Sequence, residues 1–122
     1  QYNIKANNIQ NVHILRMSAE EVTLALTGKQ TFKRVINAGL DLSLLDCSTV
    51  LVDPPRCGLD ENTCTLLQEY DRILYISCNP NSLRENLTQL LKSHTIKRFA
   101  LFDQFPYTHH MEVGICLQKM VT

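Results

Sequence analysis

Nothing in this 122-residue sequence approaches the ~20 consecutive apolar residues of a membrane-spanning helix, so no membrane partner is expected. An excess of one charge is missing as well: 12 basic residues face 12 acidic ones, for a formal net charge of zero. The basic footprint of a nucleic-acid-binding surface is therefore absent, and composition alone lends no electrostatic support to an RNA partner. Either such a surface lies in another part of a longer protein, or the partner is not a nucleic acid. The five cysteines (Cys47, Cys57, Cys64, Cys78 and Cys116) form no C-x-x-C pair, and no histidine stands at zinc-ligand spacing from a cysteine pair. No metal is expected. An odd count without framework spacing reads as reduced thiols in a cytoplasmic protein, one of them available as a nucleophile. Internal repeats and low-complexity tracts are also missing.

What is present is ordinary for a globular chain, with 44% hydrophobic and 20% charged residues, enough for one small domain. The opening Gln1-Tyr2-Asn3-Ile4-Lys5 alternates like folded chain and is not read as a signal peptide. Residues 1–9 read as the end of a helix closing near Asn7-Asn8. With no initial Met, the chain is expected to be a fragment of a longer protein. Residues 12–17 are a short apolar run expected as a strand. Ser18 then stands three residues before Glu21, a capping-box pattern that starts a helix over 19–26, stopped at Gly28. Residues 30–48 read as irregular or partly helical.

The pattern sharpens after that. Thr49-Val50-Leu51-Val52 is continuous rather than alternating, as in a strand buried on both faces of a parallel sheet, and Asp53-Pro54-Pro55 ends it. Residues 60–70 have helical spacing with Leu66 and Leu67 toward the core. Residues 72–77 form a second buried strand ending at Cys78-Asn79-Pro80. A helix over 82–91 places Leu83, Leu87, Leu90 and Leu91 on one stripe. Two more strands, 96–102 and 113–118, have no room for a helix between them and are expected as an antiparallel pair at the sheet edge. The alternation defines an α/β fold.

In open α/β sheets, ligands bind at the carboxyl ends of the strands. Asp53-Pro54-Pro55-Arg56 and Ser77-Cys78-Asn79-Pro80 should therefore face one crevice. Cys78 lies just before a helix start, where the partial positive charge favours a thiolate. A buried thiol packing as a small hydrophobe is the competing reading, and position alone leaves the two level. Cys57 has a weaker case, and Cys47, Cys64 and Cys116 read as structural. Asp53 either accepts hydrogen bonds from a ligand amine or hydroxyl, or caps the Pro-Pro turn. Arg56 either binds a phosphate or, more simply, pairs with Asp60 or Glu61 on the surface. Glu112 is either a general base or an exposed strand-edge charge. Adjacent His109 and His110 point to opposite faces, which discounts a shared metal. Phe105 and Tyr107 stack on a base or, by default, cover the core.

Three motifs in order carry a resemblance. Asp53-Pro54-Pro55-Arg56-Cys57-Gly58-Leu59-Asp60, then Ile76-Ser77-Cys78-Asn79-Pro80, then Phe102-Asp103-Gln104-Phe105-Pro106-Tyr107-Thr108-His109-His110-Met111-Glu112 resemble the RNA uracil-5-methyltransferase family. The last stretch is most similar to the bacterial tRNA enzymes that modify the T-loop uridine. The resemblance runs along the whole chain. It implies the C-terminal part of a Rossmann-like S-adenosylmethionine-dependent methyltransferase domain, mostly parallel, with an antiparallel C-terminal edge pair. Residues 1–122 would be one partial catalytic domain acting on tRNA. Cys78 matches the family nucleophile, Glu112 the family base, and Asp53 a residue of the S-adenosylmethionine site.

That chemistry needs these residue types. Uracil C5 is a poor nucleophile until a thiolate adds to C6, and a base must afterwards remove the C5 proton. The sequence departs from a whole enzyme in one respect. Gly28, Gly39, Gly58 and Gly114 are scattered, so the Gly-rich turn after a first strand is absent, as is the acidic residue that ends the second strand. The resemblance also implies an N-terminal RNA-binding domain, which is expected to lie outside these 122 residues. The alternatives are a ribosomal RNA uracil-5-methyltransferase and a non-catalytic RNA-binding module of the same fold. An amino-methyltransferase would need an aromatic residue at Arg56 and has no use for Cys78.

Overall fold

The computed structural model describes residues 1–121, and the chain divides into two compact units, Gln1–Leu45 and Asp46–Thr122. In the first, α1 (Tyr2–Ala6) closes at Asn7, whose side-chain amide donates to the Asn3 carbonyl. The capping box forms at the start of α2 (Ala19–Leu26). The Glu21 backbone N–H donates to Ser18 Oγ at 3.1 Å, and the Ser18 N–H donates to Glu21 Oε2 at 2.9 Å. Two backbone donors that the helix leaves unpaired are thereby satisfied. Gly28 follows with φ +70°. The stretch expected to be partly helical holds α3 (Lys33–Asn37) and a 3₁₀ turn at Leu42–Leu44.

The strand expected over residues 12–17 does not form. A strand needs a neighbour to complete its backbone hydrogen bonds, and the four strands described pair only with one another. Val12 and Ile14 are exposed. The segment is held instead by Arg34, which donates to the Arg16 carbonyl and pairs with Glu21 at 2.8 Å.

The second unit runs β1 (Thr49–Val52), α4 (Glu61–Leu67), β2 (Arg72–Ser77), α5 (Pro80–Leu90), β3 (His94–Phe102) and β4 (Glu112–Lys119). The sheet order is β1-β2-β4-β3. β1 and β2 are parallel, and β4 lies antiparallel to both β2 and β3. The expected C-terminal pair is thus present, with its second member inserted against β2 and β3 at the edge. α4 begins where Asp60 accepts from the Thr63 N–H, and α5 where Asn79 caps and Pro80 fills the first turn.

One face of the sheet carries the core. Ile73 and Tyr75 of β2 and Val113, Ile115 and Leu117 of β4 pack against Cys64 and Leu67 of α4 and Leu83 and Leu90 of α5. Each such side chain contributes about 1.5–3 kcal/mol by leaving water. His94 is buried with both ring nitrogens satisfied, Nε2 at 2.8 Å from the Tyr70 carbonyl and Nδ1 at 2.8 Å from Ser93 Oγ. The expectation that β1 is buried on both faces is not met: Leu51 is 63% exposed. The reason is coverage. α4 and α5 shield one face only, and β1 has a single neighbour, β2. No helix among the described residues is long and apolar enough to cross a membrane.

Candidate active site

The two proline-bearing turns lie side by side because β1 and β2 are parallel neighbours. Val52 pairs with Tyr75, so Asp53 leaves β1 at the sheet end where β2 finishes in Ser77. One side chain ties the turns together. Asn79 Nδ2 donates to the Arg56 carbonyl at 2.8 Å, while Asn79 Oδ1 accepts from the Asn81 N–H at the start of α5. The Asn79 carbonyl accepts from Ser77 Oγ and Ser82 Oγ, and Ser77 Oγ accepts from the Asn79 N–H. The backbone around Cys78 is therefore clamped on both sides.

The third strand reaches the same end. β4 runs antiparallel to β2, and their last pair is Ser77 with Val113. Cys78 follows Ser77 and Glu112 precedes Val113, so the register brings these two residues to neighbouring positions at the ends of adjacent strands. Cys78 and Glu112 are half-buried, and Asp53 is exposed. Strand alternation puts Glu112 on the face of Gly114 and Cys116, opposite the helix-covered core. A Cβ at Gly114 would stand 3.2 Å from the Phe102 ring, so glycine there lets that ring lie close beside Glu112's strand.

The Asp53 carboxylate makes no hydrogen bond among the described residues, so it does not cap the Pro-Pro turn. The surface pair expected of Arg56 is not formed either. Asp60 is engaged as the cap of α4, where first the Thr63 hydroxyl and then its N–H hold the carboxyl below its ordinary range. Arg56 is left exposed, with no ion pair among the described residues. All five cysteines are free. Cys64 is buried and burial pushes its thiol up, as befits an inert core residue. Cys47 is exposed, so its structural reading fails, whereas Cys116 is half-buried in β4. Phe105 and Tyr107 do not cover the core: both are exposed. No group of three or more His, Cys, Asp or Glu side chains suited to a metal occurs among the described residues.

One residue that sequence reading missed is Asn86. Its Oδ1 accepts from the Leu59 N–H at 2.9 Å and from the Tyr75 hydroxyl at 2.7 Å, and its Nδ2 donates to the Leu59 carbonyl at 2.9 Å. Burial pushes the Tyr75 hydroxyl up to about 12, which keeps it a donor. Gly58, at φ +79°, lets the loop pass this amide: a Cβ would stand 2.7 Å from Asn86 Oδ1. The signal was a polar residue on the leucine-bearing face of a helix. Asn86→Ala leaves three partly buried groups unpaired and is expected to destabilise the protein by about 3 kcal/mol, read as a lower urea midpoint.

The tRNA (Uracil-5-)-methyltransferase family model matches residues 1–120. A tRNA/tmRNA (uracil-C(5))-methyltransferase of Aliivibrio salmonicida (strain LFI1238) is 60% identical over 119 residues, covering 98% of this chain and 32% of that protein. A protein of the same description from Vibrio vulnificus (strain YJ016) is 60% identical over the same length. The crystal structure of Pyrococcus abyssi tRNA (uracil-54, C5)-methyltransferase in complex with S-adenosyl-L-homocysteine matches with a TM-score of 0.69 at 26% identity, covering 95% of this chain and 24% of that one. The chain spans about a third of the length of the curated relatives it matches.

Proposed function

This chain belongs to the tRNA (Uracil-5-)-methyltransferase family, and on that premise we propose that it is a partial catalytic domain of a cytoplasmic enzyme that methylates C5 of a T-loop uridine in tRNA. The observation that carries the reading is the meeting of Asp53, Cys78 and Glu112 at one end of three adjacent strands. The Cys78 thiolate adds to C6 of the uracil and makes C5 nucleophilic. Glu112, one strand away, takes the C5 proton, and the electron pair returns to the ring as the Cys78–C6 bond breaks. The target base has to leave its stack for a thiol and a carboxylate to reach it.

The residues present fit one wall of an S-adenosylmethionine site. Asp53 offers an exposed carboxylate without a partner at the carboxyl end of β1, suited to accept from an amine or hydroxyl. When bound, S-adenosylmethionine supplies the electrophilic methyl group. With only scattered glycines, the 122-residue chain alone is expected to bind it weakly and to show no turnover. Tight, stoichiometric binding of S-adenosylmethionine by this chain in isothermal titration would count against that.

The full-length protein, incubated with S-adenosylmethionine and tRNA containing 5-fluorouridine, tests the proposal. Fluorine at C5 does not leave as a proton does, so the covalent adduct accumulates and mass spectrometry maps it to Cys78. An adduct with ribosomal RNA but not tRNA would move the protein to the ribosomal relatives. No adduct with either would leave a non-catalytic RNA-binding module.

A further inference from the structure

The loop joining β3 to β4 carries an aromatic residue that serves nothing in this chain's own packing. Phe105-Pro106-Tyr107-Thr108 forms a turn closed by the Thr108 N–H on the Phe105 carbonyl at 3.2 Å. It is reinforced by Thr108 Oγ1 donating to the same carbonyl at 2.7 Å and accepting from the His110 N–H at 3.2 Å. Pro stands at the second position and a left-handed residue, φ +66°, at the third. That pattern favours glycine at the third position, because a Cβ is strained there. The residue present is Tyr107, 106% exposed, with no hydrogen bond or ring contact among the described residues. Phe105, in contrast, meets His110 edge-on, with centroids 6.2 Å apart. The turn thus holds one bare aromatic ring in solvent, five residues before Glu112 and at the sheet end where Cys78 and Asp53 lie.

We propose that Tyr107 stacks on a tRNA base next to the target uridine and captures the substrate without taking part in its chemistry. This rests on the reading of the site as a tRNA uridine methyltransferase. Removing a uridine from its stack uncovers the faces of its neighbours, and a planar side chain replaces the lost contact on any base. Tyrosine does so with few rotamers to lose.

The test uses the full-length protein with an unmodified tRNA transcript, measuring Kd by fluorescence anisotropy, KM and kcat for methyl transfer, and melting temperature. Tyr107→Gly relaxes the turn while removing the ring, so a merely structural role predicts equal or better performance. Stacking predicts that Tyr107→Gly and Tyr107→Ala raise Kd and KM for tRNA about 5- to 100-fold, with kcat at saturating tRNA changing much less. Tyr107→Phe and Tyr107→Trp then recover most of the affinity. Wild-type Kd and KM in Tyr107→Gly would overturn the inference. A lowered melting temperature with unchanged Kd would do the same, by showing that the ring packs on another segment of the protein. Wild-type protein that methylates tRNA in either case keeps the underlying reading intact; wild-type protein that neither binds nor methylates tRNA removes both.

Discussion

Full-length protein carrying Cys78→Ala is expected to form no adduct with 5-fluorouridine tRNA and to lose methyl transfer by a factor on the order of 10⁴ or more. Without a thiolate at C6, C5 stays a poor nucleophile. Cys57 sits in the neighbouring turn, where its Sγ lies 3.7 Å from the Gly58 carbonyl. Cys78 makes no hydrogen bond among the described residues, and the turn around it is held by Asn79, Ser77 and Ser82. Removing one sulfur should therefore leave folding nearly intact, and the melting temperature separates loss of chemistry from loss of structure. Cys64→Ala gives the opposite pattern. That thiol is enclosed by the core and raised by burial, so its loss costs stability by roughly 1–2 kcal/mol and leaves adduct formation in place. Adduct formation surviving in Cys78→Ala would remove the nucleophile assignment.

Glu112→Gln is expected to trap the enzyme on ordinary tRNA. The amide keeps the shape of the carboxylate but does not accept the C5 proton, so the thiol is not eliminated. A denaturant-stable protein–RNA species carrying the new methyl group should appear without fluorine in the substrate. Turnover should fall by about 10²–10⁴-fold, the range for losing a positioned base. The residue opens β4, and the adjoining Val113 is buried against Ser77's strand, so the backbone that carries residue 112 stays in register. Full turnover by Glu112→Gln, or lost turnover with no trapped species, would assign the proton to another base.

The legible parts of this molecule were those that a few neighbouring residues decide. Ser18 and Glu21 announced a capping box, and the box is there because its four atoms sit within one helical turn. The helix expected over 60–70 begins at Glu61 with Asp60 as its cap, whereas the one expected over 82–91 starts two residues earlier, at Pro80, because Asn79 caps it there. Continuous apolar runs located β1 and β2, and the short connection after residue 102 determined that β3 and β4 pair antiparallel. The candidate site was legible through its turns. Strand ends in an open α/β sheet share a crevice, so Asp53 and Cys78 were neighbours on paper before Asn79 was seen to link their turns.

What sequence reading missed depended on partners distant along the chain. Residues 12–17 have the composition of a strand, but a ladder needs a second strand, and none of those described pairs with them. Leu51 sits in a run apolar enough for two-sided burial, yet α4 and α5 pack on one face of the sheet only, and Leu51 is exposed. Phe105 and Tyr107 have core chemistry, but the turn between β3 and β4 carries them into solvent. Asn86 became visible only when α5 was laid against β2 and the loop after β1. The sequence by itself determined the start of α2, the cores of β1 and β2 and the types of residue that stand in the two proline-bearing turns, because these follow from interactions within a turn or two of chain. Only the tertiary structure decided that Cys78 and Glu112, 34 residues apart in sequence, become neighbours: the antiparallel register of β2 with β4 comes from packing their buried faces under α4 and α5.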